Sequence, residues 1–316
     1  MTASSAWRLG GSYLCLGVGW RSGVPCLDVV EASANAPSHV PLVGQFLGFR
    51  VPSPLRYCTG RYAFSEQTDT VHVPCPTHGA ADKGGQCAQC ASQDDFRFAH
   101  HFHTGGHAPD SLVRYMQQPH WVYIATFADG TSKVGTAANQ RQKSRLDEQG
   151  ALVATYVART ADGRIARNVE DAITRDCAVA QTKSRSAKLA ALAAPLPAQQ
   201  LQERHNELLR SVVSLVERLA RTSSGLSGLR TAWEPPDETR AIVTAPPGGW
   251  PVYEHDVLSG EHGLYVEGCC GQTALVRTEE SEAPLRYLVD LGKLKGMRLV
   301  AGEFSSPGSA VQSALF

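Results

Sequence analysis

A chain of 316 residues, 42% hydrophobic and 19% charged, carries enough apolar material for a buried core and suggests two or three domains. Thirty lysines and arginines balance thirty aspartates and glutamates, so no global charge demands nucleic acid, an acidic substrate or a membrane surface. The start lacks a basic stretch followed by an unbroken apolar run, and no window of about 18 apolar residues occurs, so neither a signal peptide nor a transmembrane helix is expected. Nine unevenly spaced cysteines then point to a cytoplasmic setting, where CxxC pairs suit metal or redox chemistry better than structural disulfides.

In chain order, residues 1–57 hold short apolar runs (Tyr13 to Val18, Pro25 to Val30, Leu42 to Val51) broken by Gly, Pro and Ser, the texture of a β-rich region. Residues 58–119 are rich in Cys, His, Gly and Gln and poor in aliphatic side chains, so they need a staple other than a core. From Trp121, WVYIATF, DGTS and KVGTA read as strand, turn and strand, and Ala151 to Ala158 as a third strand of an α/β domain over 120–181. Asn168, with Asp171 three residues on, is a candidate cap for a helix running towards Ala180. The helical segment 182–222 follows. Lys183 to Ala194 forms its first helix, and Gln199 to Arg221 its clearest, with Leu201, Leu208, Val212, Leu215, Val216 and Leu219 at helical spacing. Residues 223–251 read as a linker rich in Gly, Ser and Pro. Residues 252–316 are again β-rich, with runs at Tyr253 to Leu258, Gly263 to Glu267, Thr273 to Arg277 and Leu285 to Asp290. The fold class expected is α+β, with the two β-rich ends able to pair into one small barrel or sheet.

Cys58, Cys75, Cys87 and Cys90 form the strongest chemical signal. Cys87-Ala-Gln-Cys90 is a knuckle in which two thiolates grip one ion from a tight turn. Cys75-Pro-Thr-His78 repeats the spacing, so His78 stands as a substitute ligand. Four thiolates would complete a tetrahedral, structural zinc site with no open position for a substrate. Unconnected free thiols or a thioredoxin-like redox pair are the plainer alternatives, although the latter belongs between a strand and a helix. The run His100, His101, His103 and His107 offers a second metal site or, more plainly, a solvated loop.

The segment WVYIATFADGTSKVGTAANQRQKSRL resembles the opening of the GIY-YIG nuclease family, whose half-motifs lie on the first two strands of a three-stranded sheet flanked by helices. Val122-Tyr123 matches the IY of the first half-motif and Lys133-Val134-Gly135 the second. The resemblance implies that Tyr123 helps activate the attacking water, that Arg145 (or Arg141) holds the scissile phosphate, and that Glu170 binds Mg2+. Lys133 replaces the second tyrosine and Trp121 the leading glycine. The histidine and the later asparagine of the family have no counterpart here. From Lys133 to Lys188 eleven Lys/Arg face six Asp/Glu, a net +5 suited to a phosphate-facing surface, or simply to solubility.

Over most of its length, from the CTG at Cys58 through PHWVYIATFADGTSKVG to the tail with LGKLKG, the chain is similar to a bacterial family labelled domain of unknown function 2797, closest in its actinobacterial form. Three functions follow. The first is a zinc-containing, metal-dependent phosphodiesterase acting on DNA or RNA, with Tyr123, Lys133, Arg145 and Glu170 at its centre. A second is a non-catalytic nucleic-acid-binding module. The third is a protein-interaction module docking a partner through the helix Gln199 to Arg221.

Overall fold

The structure, a computed structural model, describes residues 7–32, 34, 36–64, 70–82, 85–98, 105, 108–246, 248–279 and 285–307. The histidine run at 100, 101, 103 and 107 lies outside them. No helix among the described residues is long and apolar enough to cross a membrane. The protein is α+β, and its two ends share one sheet.

Strands β1 (Ser12–Arg21), β2 (Val24–Glu31), β3 (Pro37–Pro41) and β4 (Phe46–Val51) interleave with β11 (Gly260–Cys270), β12 (Thr273–Arg277), β13 (Arg286–Asp290) and β14 (Arg298–Ala301). The order is β13-β12-β11-β4-β14-β1-β2-β3, with every pair antiparallel. Alternation along these strands sends Leu27, Val29, Leu47, Phe49, Leu264, Val266 and Leu299 into one core. Residues from the first and last 60 or so positions supply this core jointly, which ties the chain's ends together. The run Tyr253 to Leu258 contributes packing by Tyr253 and Val257, but it is not a strand.

A second, four-stranded sheet has the order β10-β9-β7-β8. Strands β7 (His120–Thr126) and β8 (Ser132–Ala138) form the expected hairpin. Gly130, at φ +80°, donates to the Phe127 carbonyl at 2.8 Å, while the Asp129 carboxylate accepts from the Thr131 N–H at 3.0 Å. A local turn of this kind fixes the register of the strands it joins. Strand β9 (Val153–Thr160) lies on the far side of β7. The fourth strand, β10 (Leu226–Trp233), corrects the reading of 223–251 as a linker. That stretch also holds the short helix α7 (Arg240–Val243), which buries Ile242.

Val122 and Ile124 point to one face of β7, where α4 (Gly163–Cys177) and α6 (Ala198–Ala220) cover them. Tyr123 and Ala125 point to the other face, against Leu146 of α3 (Gln142–Asp147). The cap of α4 is Asp162, whose carboxylate accepts from the Ile165 N–H at 2.8 Å; Asn168 lies inside the helix. On α6, Leu201, Leu209, Val212, Leu215 and Val216 are buried, at roughly 1.5–3 kcal/mol per side chain relative to exposure. His205 shares this face. One ring nitrogen meets the Thr126 hydroxyl and the other the Thr155 hydroxyl, both at 2.8 Å, joining the helix to β7 and β9.

Between the two sheets sits the cysteine segment, with β5 (Arg61–Phe64), β6 (Thr70–Val73), α1 (Ala88–Ser92) and α2 (Asp110–Met116). It rests on the terminal sheet. The Tyr57 N–H donates to the Gly296 carbonyl at 2.7 Å, and the Arg298 guanidinium lies 4.2 Å from the centre of the Tyr57 ring.

Candidate functional site

The Cys58, Cys75, Cys87 and Cys90 sulfurs all lie within 4.8 Å of one another, with Cys75 and Cys87 at 3.9 Å. Tetrahedral zinc with bonds of about 2.3 Å places its sulfurs roughly 3.8 Å apart. The four donors therefore fit one metal ion such as zinc with little adjustment. Cys87 caps α1 and Cys90 lies one turn into it, so the knuckle spacing becomes two thiols facing one point. Gly60, at φ +78°, turns its N–H to the Cys58 sulfur at 3.4 Å; a Cβ there would stand 2.3 Å from the Val73 carbonyl. His78 is not part of the cluster.

The thiols differ electrostatically. Burial pushes the Cys58 and Cys90 thiols up. Burial also opposes ionisation of Cys75, but the Thr77 hydroxyl and N–H, the Cys58 thiol and the Gly79 N–H outweigh it and bring Cys75 down to about 6. Two buried thiols, Cys58 and Cys90, and the half-buried Cys87 surround the readily ionised Cys75, in a segment without an aliphatic core of its own, a set whose charge a divalent cation would neutralise.

Tyr123 and Lys133 lie on one face of the second sheet, on the side covered by α3 with Arg145, whereas Glu170 belongs to α4, which covers the other face. Tyr123 opposes Gly135 across the β7–β8 pair, and a Cβ at Gly135 would meet the Tyr123 hydroxyl at 2.5 Å. Glycine is thus what lets the phenol lie across β8. The Tyr123 hydroxyl is fully buried and makes no hydrogen bond of good geometry among the described residues. Burial pushes the phenol up to about 12, with Glu170 and Glu148 adding to the rise while the neighbouring Arg145 guanidinium opposes it. Lys133 is buried two residues before Gly135 on the same face of β8. Desolvation, followed by repulsion from Arg145 and Lys188, brings it down to about 8, against the pull of Glu170. Glu170 is buried on α4 and bonded to Arg167 at 2.6 Å. Tyr123, Lys133, Arg145 and Glu170 therefore fall within one electrostatic neighbourhood.

Only Arg145 of these four reaches the neighbouring cleft, a cavity of about 280 Å³ between α3, α5 (Arg185–Ala193) and the terminal sheet. Its walls include Arg145, Glu148, Arg185, Lys188, Cys270 and Asp290. Burial, with repulsion from Arg145, lowers Lys188 to about 8; burial raises Cys270 to about 12. Glycines join the two modules at this cleft. Gly271, at φ +60°, comes so close to Gly150 that a Cβ on it would stand 2.8 Å from the Gly150 nitrogen. The Trp20 indole locks that turn by donating to the Gly271 carbonyl at 2.8 Å. The sequence counted Arg185 and Lys188 only as part of a basic segment; nothing local in it joins them to residues 270–290.

Fold and cysteine cluster together define an α+β protein with a candidate four-thiolate metal site. The chain belongs to the family described as protein of unknown function DUF2797, whose model matches residues 69–227. That span takes in Cys75, Cys87, Cys90, the hairpin, α4 and α6 and stops at the start of β10. No curated protein and no solved structure matches the chain.

Proposed function

We propose that the protein is a zinc-containing, nucleic-acid-acting protein whose GIY-YIG-like sheet carries a metal-dependent phosphodiesterase centre. Zinc on Cys58, Cys75, Cys87 and Cys90 is the structural ion, and Tyr123, Lys133, Arg145 and Glu170 form the centre. The observation that supports this reading is that Tyr123 lies against Gly135 with Lys133 two residues away on the same strand face, and that Arg145 and Glu170 both act electrostatically on these two side chains. Lys133 and Arg145 supply positive charge for a phosphate in a partly dry setting, where it counts for more than in water. A magnesium ion at Glu170 would have to displace the Arg167 guanidinium now bonded there, so its place in the reading rests on the metal dependence of cleavage.

The test incubates the purified protein with labelled single- and double-stranded DNA and RNA and Mg2+ or Mn2+. Cleavage lost in Glu170→Ala and Tyr123→Phe supports the assignment, and cleavage that survives Glu170→Ala overturns it. The burial of Tyr123 and the pairing of Glu170 favour a second reading, a non-catalytic nucleic-acid-binding module. That reading expects binding that weakens steeply with salt, without turnover. Absence of binding at low salt rejects it.

A further inference from the structure

We propose that the cleft between α3, α5 and the β12–β13 edge is a binding site for the phosphate of a nucleotide unit, gripped by Arg145, Arg185 and Lys188. The inference deepens the phosphodiesterase reading by adding a substrate-holding arm from the helical segment and the terminal sheet, both outside the nuclease-like domain. Three cations converge on a cavity of about 280 Å³, just below the usual range for small-molecule sites and suited to a group of nucleotide size.

The carboxylates of this cleft are already engaged. Glu148 accepts two hydrogen bonds from Arg141, the longer at 2.7 Å, and stands 3.8 Å from Arg145, while Asp290 accepts the Gly292 N–H at 3.0 Å and Arg185 donates to the Gly292 carbonyl. Lys188 makes no ion pair among the described residues; its ammonium stands 5.3 Å from the centre of the Phe127 ring. Lys188 is largely withdrawn from water, while Arg145 is half-buried and Arg185 exposed at the rim, so an anion meets a dry cation first and two solvated guanidinium forks that match the geometry of phosphate oxygens. Gln149, Gln272 and Thr273 add neutral donors and acceptors to the same walls, suited to a sugar or base edge. The Gly150–Gly271 contact holds the two modules in register, so the cations keep their spacing before any ligand arrives.

The experiment titrates the full-length protein by calorimetry with nucleoside 5′-monophosphate, inorganic phosphate, and a short oligonucleotide with or without a 5′-phosphate, at about 50 mM salt. The wild type is expected to bind the monophosphate or the 5′-phosphorylated strand saturably. Arg185→Gln combined with Lys188→Gln should weaken that binding about tenfold or more. Lys293→Gln, a change outside the cleft walls, should leave it unaltered. A circular-dichroism melt of the double variant that matches wild type separates lost binding from lost folding. Unaltered binding in the double variant overturns the site, as does the absence of saturable binding by every phosphate probe. Binding of inorganic phosphate alone overturns the nucleotide assignment.

This outcome separates cleanly from the phosphodiesterase test. Nucleotide binding without nucleic-acid cleavage keeps the cleft and rejects the catalytic reading. Cleavage that is insensitive to Arg185→Gln and Lys188→Gln does the reverse.

Discussion

The cysteine segment and the four-stranded sheet both gather polar chemistry at one point, but different forces hold them. Around Cys58, Cys75, Cys87 and Cys90 the buried cluster consists of the sulfurs themselves, and the neighbouring core is an aromatic patch around Phe64, Leu112 and Met116. In the sheet, Tyr123 and Lys133 are placed by strand register, and aliphatic side chains from α4 and α6 fill the opposite face. One arrangement is a set of thiols able to hold a metal ion, and the other rests on packing. They should therefore fail under different insults.

Removing the ion breaks the comparison most sharply. Structural zinc contributes on the order of 10 kcal/mol to the folding of small thiolate sites at neutral pH. Elemental analysis should find one metal per chain in the wild type, and none after Cys90→Ser or strong chelation. Hydrogen exchange should then rise in peptides covering 58–92 while those covering 122–158 stay protected. Equal loss of protection in both regions would mean that the sheet also depends on the ion.

A second break aims at the packed region. His205→Ala removes the ring that bridges the Thr126 and Thr155 hydroxyls and leaves a small cavity under α6, at a cost of about 3 kcal/mol by chemical denaturation. Burial holds the His205 imidazole down at about 4, so the folded state takes up its proton later than the unfolded chain. Its stabilising effect is complete above the unfolded value of about 6.5 and is lost progressively as pH falls towards 4. Wild-type and His205→Ala denaturation midpoints, measured under strong chelation at every pH, should converge over that window. Parallel curves would show that His205 does not titrate as the packing implies.

The hairpin offers a third, smaller test. Gly135→Ala forces a Cβ against the Tyr123 ring and should cost about 1–3 kcal/mol through overpacking. Gly135→Ala in a Tyr123→Leu background should cost much less, because the clashing hydroxyl and ring are gone. Equal costs in the two backgrounds would place the strain elsewhere on β8.

How much of this was legible in the sequence follows the same division. The cysteine set was readable because the CxxC spacing brings two donors together within one turn, and few other side chains compete in that stretch. The β7–β8 hairpin was readable because Asp129 and Gly130 dictate a turn between two apolar runs. Strand β10 was not, since it is an edge strand exposed along most of its length, and LSGLRTAW lacks the apolar alternation that marks a half-buried strand. His205 lay on the apolar stripe between Leu201 and Leu209, and its spacing alone marks it as a buried residue needing partners. The cleft was out of reach because Arg145, Lys188 and Asp290 line one cavity only where the second sheet's helices pack on the terminal sheet beside Gly150 and Gly271, which no local pattern encodes.

Asp147 supplies the smallest and most specific test of the packed region. Its carboxylate accepts from the Trp233 indole at 3.0 Å, joining α3 to the end of β10, while its second oxygen is buried without a hydrogen-bond partner among the described residues. Burial raises the acid to about 6, and the Trp233 hydrogen bond only partly offsets it. A raised folded value means that the favourable contribution of the protonated acid is complete below the unfolded value of about 3.9 and is lost as pH rises through 6. Asp147→Asn keeps a carbonyl for Trp233 and never carries the charge. The variant should match wild type at pH 4, gain on it between pH 4 and 6, and hold an advantage of about 1 kcal/mol at pH 8. Chemical denaturation at those three pH values reads the difference. A variant weaker than wild type at pH 8 would show that the ionised carboxylate has a partner, and that the Trp233–Asp147 contact is a charge site of the fold, not only a packing contact of the new edge strand.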